Sequence, residues 1–265
     1  MRLISTANVS DELPVNEAFL TSVTVAIEDR SVEERHAPSR FYSPSGLNCI
    51  RQMYFKRTGA MQDTIPDNYG DISMADTGTR RHEAIQQVLI WMTKHNSRFL
   101  YIDVAEYVKQ KQARGHLNNL VVTGTYGAET QLLDKFRSIQ FRVDGIIYDR
   151  NTHKFYLFEF KNQISFKAAG KKHVDLAHHN QVITYCALLG LDEALVVYEN
   201  RDSGELYCPE VFQVDEYAKH RLMSRIDECE QFVKSSTCPS KPDNISVAEC
   251  RWCRYKKACK AADKE

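Results

Sequence analysis

The chain has 265 residues, and its 35 lysines and arginines balance 35 aspartates and glutamates. This length and a near-average apolar content are typical of a soluble globular protein with a sizeable core, and the zero net charge excludes nucleic-acid binding through a global basic field. No apolar run is long enough to cross a membrane, and the N-terminal residues lack the apolar segment of a secretory signal. We therefore expect a cytoplasmic protein that does not bind membranes.

The first predicted elements are helical. Residues 1–42 match no motif, and we assign them to an N-terminal extension of unknown role, with a poorly patterned helix over residues 14–27. Ser45 is the expected N-cap of a short helix that contains Cys49. Residues 77–82 open the clearest helix of the first half, because the apolar residues that follow recur on one face at helical spacing.

Strands dominate the middle of the chain. Strand-like runs occupy residues 99–108 and 120–126. Residues 141–147 and 155–161 are both rich in β-branched and aromatic side chains, and a turn signal at residues 151–152 lies between them. These last two runs predict a β-hairpin.

Helices and strands alternate after the hairpin. Residues 174–189 are predicted to form a helix that ends at Gly190, and residues 194–198 and 205–214 to form strands. A last long helix covers residues 216–234 and is followed by a cysteine-rich tail. This order of elements predicts an α/β protein in which a mixed sheet is flanked by helices.

Charged residues interrupt the apolar pattern of the predicted hairpin. Alternation along its second strand puts Glu159 and Lys161 on one face, and Asp144 lies on the first strand. Such charges are costly in an apolar strand unless they are paired or bind a metal ion. Phosphodiester hydrolysis requires carboxylates that hold divalent ions and benefits from a nearby cation, and these residues supply both. The alternative is a salt bridge between Glu159 and Lys161 at a sheet edge.

Three motifs together resemble a known group of nucleases. Asp144 and the later Glu-x-Lys triplet resemble the catalytic motif of the PD-(D/E)XK nuclease superfamily, although the usual proline before the aspartate is absent. The sequence that ends at His82 looks like the GxxxH motif of the RecB-like branch. The sequence that begins at Gln181 looks like the QxxxY motif of the same branch, and all the motifs occur in the family's order.

The resemblance implies a restriction-endonuclease-like fold over residues 43–237 and a Mg²⁺- or Mn²⁺-dependent deoxyribonuclease. On the family pattern three residues would bind the ion, namely His82, Asp144 and Glu159. Lys161 would position and polarise the attacking water. Gln181 and Tyr185 would orient the DNA or the lysine. Each match also has an ordinary alternative, such as a surface histidine or a core tyrosine.

The same resemblance implies an activity and partners. Members are most often exonucleases on DNA ends or single strands, in recombination, repair, CRISPR adaptation or phage DNA metabolism, so exonuclease is the expected activity. A structure-specific or nicking endonuclease is the first alternative, and a non-catalytic DNA-binding subunit is the second. DNA is the expected partner, with a recombination or helicase protein as a further candidate. The expected location becomes the host cytoplasm if the chain is phage-encoded.

The cysteine-rich segment, residues 238–265, supplies a second set of ligands. Three of its cysteines lie close together in the sequence, namely Cys250, Cys253 and Cys259. Zinc and iron–sulfur sites usually take four thiolates, so Cys49 is the plausible fourth ligand and Cys238 the alternative. This arrangement resembles that of the AddB-type and CRISPR-associated RecB-like iron–sulfur nucleases, whose four thiolates hold a four-iron four-sulfur (4Fe-4S) cluster. Zinc is the competing occupant.

The other cysteines are not expected to bind metal. They fall at predicted strand or helix positions, where a free thiol behaves as a small buried hydrophobe. These residues are Cys186, Cys208 and Cys229. We expect all of them to be buried.

Two basic runs accompany these motifs. Lys167, Lys171 and Lys172 follow the Glu-x-Lys strand directly, so we expect them at the mouth of the site. Their contacts with DNA phosphates would be indifferent to base sequence. A second run, at residues 251–260, surrounds the cysteine cluster and is a candidate guide for DNA. For either run alone, a solvated face is the alternative.

Overall fold

The computed structural model describes residues 14–33, 39–63, 69–95, 98–126, 129–163, 173–242, 245, 250 and 253–263. The chain divides into two units, which are residues 1–38 with 64–80 and residues 39–63 with 81–265. No helix in the described ranges is long and apolar enough to cross a membrane. The domain boundaries expected at residues 42–43 and 237–238 stay predictions.

The described helices cover both units. In chain order they are α1 (Val15–Glu33), α2 (Ile50–Thr58), α3 (Tyr69–Lys94), α4 (Val104–Ala113), α5 (Leu176–Leu189), α6 (Glu216–Lys234) and α7 (Lys256–Ala262). The first unit contains α1 and the beginning of α3, and the remaining helices belong to the second unit.

Three of the helix predictions need correction at one end. The helix predicted over residues 14–27 is present as α1 but continues to Glu33. The predicted start at residue 77 is wrong, because α3 begins at Tyr69 and Gly78 lies inside it, at a cost of about 1 kcal/mol relative to alanine. Ser45 does not cap α2: it lies in a separate 3₁₀ turn, and Cys49 occupies the N-cap position without a side-chain hydrogen bond.

The strands form a central sheet and a smaller one. The central sheet contains β1 (Phe99–Ile102), β5 (Gly145–Asp149), β6 (Lys154–Gln163), β7 (Glu193–Asn200), β8 (Leu206–Tyr207) and β9 (Phe212–Gln213). Its order is β1-β5-β6-β7-β8, and β9 also pairs with β7. The β6–β7 pair is parallel and the other pairs are antiparallel. The smaller sheet is an antiparallel meander of β2 (Leu120–Tyr126), β3 (Glu129–Asp134) and β4 (Ile139–Val143).

The predicted hairpin is confirmed, but its first strand is divided. β5 and β6 pair antiparallel from Gly145 opposite Phe158 to Asp149 opposite Lys154. The run predicted over residues 141–147 breaks at Asp144, because β4 pairs in the small sheet and β5 in the central one. The break places a carboxylate where the two sheets meet.

Two other strand predictions are partly wrong. The run over residues 99–108 ends as a strand at Ile102, because the Asp103 carboxylate accepts a hydrogen bond from the Glu106 backbone N–H at 2.9 Å and starts α4. The run over residues 205–214 contains only the short strands β8 and β9. Cys208 lies between them and is exposed, so its predicted burial is also wrong.

Helices cover both faces of the central sheet within the second unit. On one face, Phe158 and Phe160 pack with Ile85 and Leu89 of α3. On the other face the main core includes Leu157, together with residues of α5 and α6. Full burial of a side chain such as Phe160 stabilises the fold by about 1.5–3 kcal/mol. The predicted mixed α/β class, with helices around a mixed sheet, is therefore confirmed.

Candidate active site

Asp144 is fixed at the junction of the two sheets. Its side chain is buried, and its Oδ2 accepts a hydrogen bond from the Phe160 backbone N–H at 2.7 Å. His82 approaches from α3, with its Nδ1 2.8 Å from Asp144 Oδ1. Gly145, the next residue, leaves room for the Tyr101 ring, because a Cβ there would lie 2.5 Å from that ring. The break between β4 and β5 thus brings the aspartate and the histidine together.

The buried Glu159 and the half-buried Lys161 form an ion pair on β6. The Lys161 ammonium donates to Glu159 Oε1 at 2.7 Å and to the Gln181 side-chain oxygen at 3.0 Å. The Gln181 amide nitrogen donates to Glu159 Oε1 at 3.1 Å and to the Tyr185 hydroxyl at 2.8 Å. The salt bridge considered as an alternative therefore exists, but it is part of a network that includes the glutamine–tyrosine pair on α5.

Glu129 also belongs to the site, although it lies in none of the sequence motifs. Its Oε1 lies 3.7 Å from His82 Nδ1, and its Oε2 lies 3.8 Å from an Arg142 guanidinium nitrogen. In the β3–β4 register Thr130 lies opposite Val143, so the next step along the ladder brings Glu129 towards Asp144. This register is visible only in the folded hairpin, and no local sequence signal marked Glu129.

The carboxylates of the site share a buried environment. Burial raises the pKa of Glu159 to about 7, with a further rise from the Asp144 charge and a partial offset from Lys161. Burial and the Asp144 charge also raise the pKa of Glu129. Burial lowers the pKa of His82, but its hydrogen bond to Asp144 and the surrounding carboxylates outweigh this and raise the net value. Acidic groups are therefore concentrated around one imidazole and raise its pKa.

The donor set fits a divalent cation. The ligand atoms of His82, Glu129 and Asp144 all lie within 4.8 Å of one another. Magnesium binds oxygen at about 2.0–2.1 Å, so donors on opposite sides of one ion lie about 4.2 Å apart, and small side-chain movements would bring this set to that distance. Glu159 is not in this group, although it lines the same cavity of about 450 Å³.

An ion pair beside His82 anchors α3 to the central sheet. The Arg81 Nε donates to Glu199 Oε2 at 2.9 Å, and a second guanidinium nitrogen contacts the other carboxylate oxygen. The Asn162 amide, at the end of β6, donates to the same carboxylate at 2.7 Å. Glu199 is buried on β7, and its pKa is lowered mainly by the Arg81 hydrogen bond. The pair therefore positions the helix turn that carries His82.

Glu199→Gln is expected to lower the free energy of unfolding by about 1.5–3 kcal/mol, the usual contribution of a hydrogen bond to a charged group. It should also weaken Mn²⁺ binding, because His82 is the residue next to Arg81. Urea unfolding and a Mn²⁺ titration measure the two effects. The matched control is Glu193→Gln on the same strand, which loses a more exposed contact with Lys154 worth about 0–1 kcal/mol. Equal losses in both variants would contradict a positioning role.

The four predicted cysteine ligands belong to the second unit, but no three cysteine sulfurs of the described residues lie within 4.8 Å of one another. Burial raises the pKa of the Cys49 thiol, and the charges of Cys259 and Cys250 raise it further. The pKa of Cys253 is raised by burial and then by the charges of Cys49, Cys259 and Cys250. The charges of thiols that are far apart in the sequence therefore affect one another's pKa.

The C-terminal segment packs on α2 around these thiols. Tyr255 is buried and stacks on Phe55, with ring centroids 6.2 Å apart. Arg51 is also buried, and its guanidinium donates to Cys259 Sγ and to Cys238 Sγ, each at 3.5 Å. Cys238 therefore lies at the margin of the same cluster. Among the remaining cysteines, the predicted burial of Cys186 and Cys229 is confirmed.

The basic runs are only partly described. Lys167, Lys171 and Lys172 lie outside the described residues, so their predicted role at the mouth of the site stays a prediction. In the second run, Arg254 is exposed and its backbone oxygen accepts a hydrogen bond from Asp63 N–H at 2.6 Å.

Two solved structures are similar to this chain at low identity. The crystal structure of SSO0001 matches at 15% identity with a TM-score of 0.45, over 94% of this chain and 98% of that one. The crystal structure of LHK-Exo in complex with dAMP matches at 11% identity with a TM-score of 0.42, over 76% of this chain and 91% of that one. No protein-family model matches the sequence, and no curated protein does.

Proposed function

We propose that the protein is a divalent-metal-dependent DNA nuclease of the RecB-like PD-(D/E)XK type. One observation carries the proposal: side chains from three separate sequence motifs line one cavity and contact one another within it. Each motif alone has an ordinary structural explanation. Chance matches to the motifs would give no reason for a histidine, two carboxylates, a lysine and a glutamine–tyrosine pair to converge.

The proposed metal ligands are His82, Asp144 and Glu159, with Glu129 as an additional donor. Carboxylate oxygens suit Mg²⁺ and Mn²⁺, and an imidazole nitrogen favours the transition metal of the two. When bound, such an ion polarises a phosphoryl oxygen and stabilises the negative charge that develops during hydrolysis. The concentration of buried carboxylates around His82 supports this assignment.

Lys161 is proposed to position and polarise the attacking water through a hydrogen bond from its ammonium. Its ammonium has three N–H donors, and two of them are used by Glu159 and Gln181. Among the described residues the third N–H has no protein partner, and Lys161 lines the cavity. Gln181 is itself held by Tyr185, a neutral hydroxyl whose pKa burial raises well above its usual value. Gln181 and Tyr185 are therefore assigned to fixing the direction of the lysine.

Exonuclease activity on DNA ends or single strands is the proposed specificity, and it rests on the family resemblance alone. A nicking or structure-specific endonuclease would use the same residues. A non-catalytic DNA-binding subunit is the less favourable alternative, because the acidic and basic residues of the site are all present in the sequence. We propose DNA as the partner, contacted also by Lys167, Lys171 and Lys172, and a recombination or helicase protein as a further partner.

A 4Fe-4S cluster is the proposed occupant of the cysteine site, with zinc as the alternative. Cys49, Cys250, Cys253 and Cys259 would hold it, and the fit rests on the chemistry of the donors, because thiolates are the usual ligands of both. The packing of α7, which contains Cys259, near α2, whose N-cap is Cys49, supports the proposal. The cluster would fasten the C-terminal segment, and we assign it no part in hydrolysis.

The purified protein is expected to hydrolyse DNA only when Mg²⁺ or Mn²⁺ is present. The measurement uses end-labelled linear single strands and duplexes and, beside them, a closed circular single strand. Chelation by EDTA should stop the reaction and excess Mn²⁺ should restore it. Degradation of linear DNA with the circle left intact supports an exonuclease, whereas cutting of the circle identifies an endonuclease. Hydrolysis that persists in EDTA would refute the metal-dependent mechanism.

A further inference from the structure

Lys56 links the candidate active site to a second cavity. Its ammonium donates to Ser43 Oγ at 3.2 Å. Together with Tyr42 and Ser43, it lines the cavity of about 450 Å³ that contains Asp144. The same three residues also line a smaller cavity of about 230 Å³, which extends to Arg254 on the C-terminal segment. One half-buried lysine therefore stands where the two cavities meet.

The charge of Lys56 lacks a protein counterion among the described residues. Burial lowers its pKa, and no carboxylate offsets that effect. The other cations of the same helix differ, because Arg51 contacts Asp263 and Arg57 donates to Glu230 at 2.7 Å. A partly desolvated cation without a counterion is costly, so its presence at a cavity needs a reason. An anionic ligand would provide one.

We infer that Lys56 binds a backbone phosphate of a DNA strand, one that neighbours the phosphate being hydrolysed. This inference rests on the proposed nuclease function and extends it by assigning a path for the substrate. The strand would leave the catalytic cavity beside Ser43 and continue through the smaller cavity towards Arg254. A lysine ammonium recognises phosphate as a point charge, so this subsite holds the strand without reading its bases.

Lys56→Gln tests the subsite, because it removes the charge while retaining a donor for Ser43. For a single-stranded oligonucleotide, KM should rise about 10- to 100-fold, as expected for one lost hydrogen bond to a charged group. The slope of log binding constant against log salt, measured with Ca²⁺ to prevent cleavage, should become shallower by about 0.7. Thymidine 5′-(p-nitrophenyl phosphate) has no second phosphate, so the effect on its hydrolysis should be far smaller.

Two further variants complete the test. Lys109→Gln removes an exposed lysine of α4 outside both cavities and should behave as the wild type. Lys56→Arg keeps the charge and should restore oligonucleotide binding if Lys56→Gln folds poorly. An unchanged salt slope in Lys56→Gln would overturn the inference, as would equal losses on both substrates. If the wild type hydrolyses neither substrate, the proposed function fails, and the Ca²⁺ binding experiment still decides the role of Lys56.

Discussion

Asp144→Asn is expected to slow metal-dependent DNA hydrolysis by about a thousandfold or more. A bound divalent ion supplies several kcal/mol of transition-state stabilisation, and each ~1.4 kcal/mol changes the rate about tenfold. Asparagine has nearly the same shape and can still accept the hydrogen bond from Phe160 N–H. The substitution therefore removes the charge next to His82 while preserving the strand junction. Initial rates across a Mn²⁺ series measure the loss.

The control for this variant is Asp134→Asn in β3. Asp134 is also a buried aspartate, and its Oδ1 accepts hydrogen bonds from Phe136 N–H at 2.8 Å and Arg137 N–H at 3.0 Å. It lies in the small sheet and does not line the catalytic cavity, so its replacement should affect stability more than rate. Undiminished hydrolysis by Asp144→Asn or by Lys161→Ala protein would defeat the assignment of the site.

The strand that contains Glu159 and Lys161 could be predicted because its pattern is local. Side chains alternate along a strand, so Glu159 and Lys161 had to share a face whatever the rest of the fold was. The apolar residues between and around them then made those charges conspicuous. Asp144 could be predicted as a site residue, but its position between two sheets could not. Nothing in the local sequence indicated that the chain passes from one sheet to the other there.

Glu129 and Lys56 could not be predicted because their significance depends on tertiary packing. Glu129 approaches Asp144 only through the register of β3 and β4, and the strand β3 was not anticipated. Lys56 resembles any solvated lysine on a short helix, and only the cavities on either side of it distinguish it. Both residues are ordinary in sequence and unusual only in their surroundings. A charge that is unremarkable on a surface becomes informative when it is partly buried.

For the cysteines, the sequence predicts the ligands, but only the structure shows which contacts hold the C-terminal segment. The spacing of Cys250, Cys253 and Cys259 indicates a ligand set, and the need for a fourth thiolate directs attention to Cys49. The sequence does not show how the tail reaches Cys49. In the structure, Asp63 and Gln62 bind the C-terminal segment just after α2, where the Gln62 amide donates to Tyr255 Oη at 3.0 Å. Protein contacts thus hold the tail in place beside the thiols.

Cys253→Ala is expected to lower the melting temperature by roughly 8–20 °C. A cross-link that closes a loop of more than ~100 residues stabilises a protein by about 4–5 kcal/mol in the chain-entropy model, which is known for disulfides and applied here by analogy. At this size each kcal/mol shifts the melting temperature by about 2–4 °C. Calorimetry of anaerobically purified protein measures the change, with the exposed Cys208→Ala as the control.

The same preparations distinguish the occupant of the cysteine site. A brown wild-type protein with broad absorption in the violet, lost in Cys253→Ala but kept in Cys208→Ala, is the result expected for iron–sulfur. A colourless protein with stoichiometric zinc would overturn that occupant while leaving the cross-link intact. An unchanged melting temperature in Cys253→Ala would refute the cross-link itself, since the contacts of Tyr255, Gln62 and Asp63 would then suffice to hold the tail. Because the cysteines do not line the catalytic cavity, any Cys253→Ala protein that remains folded should retain metal-dependent hydrolysis.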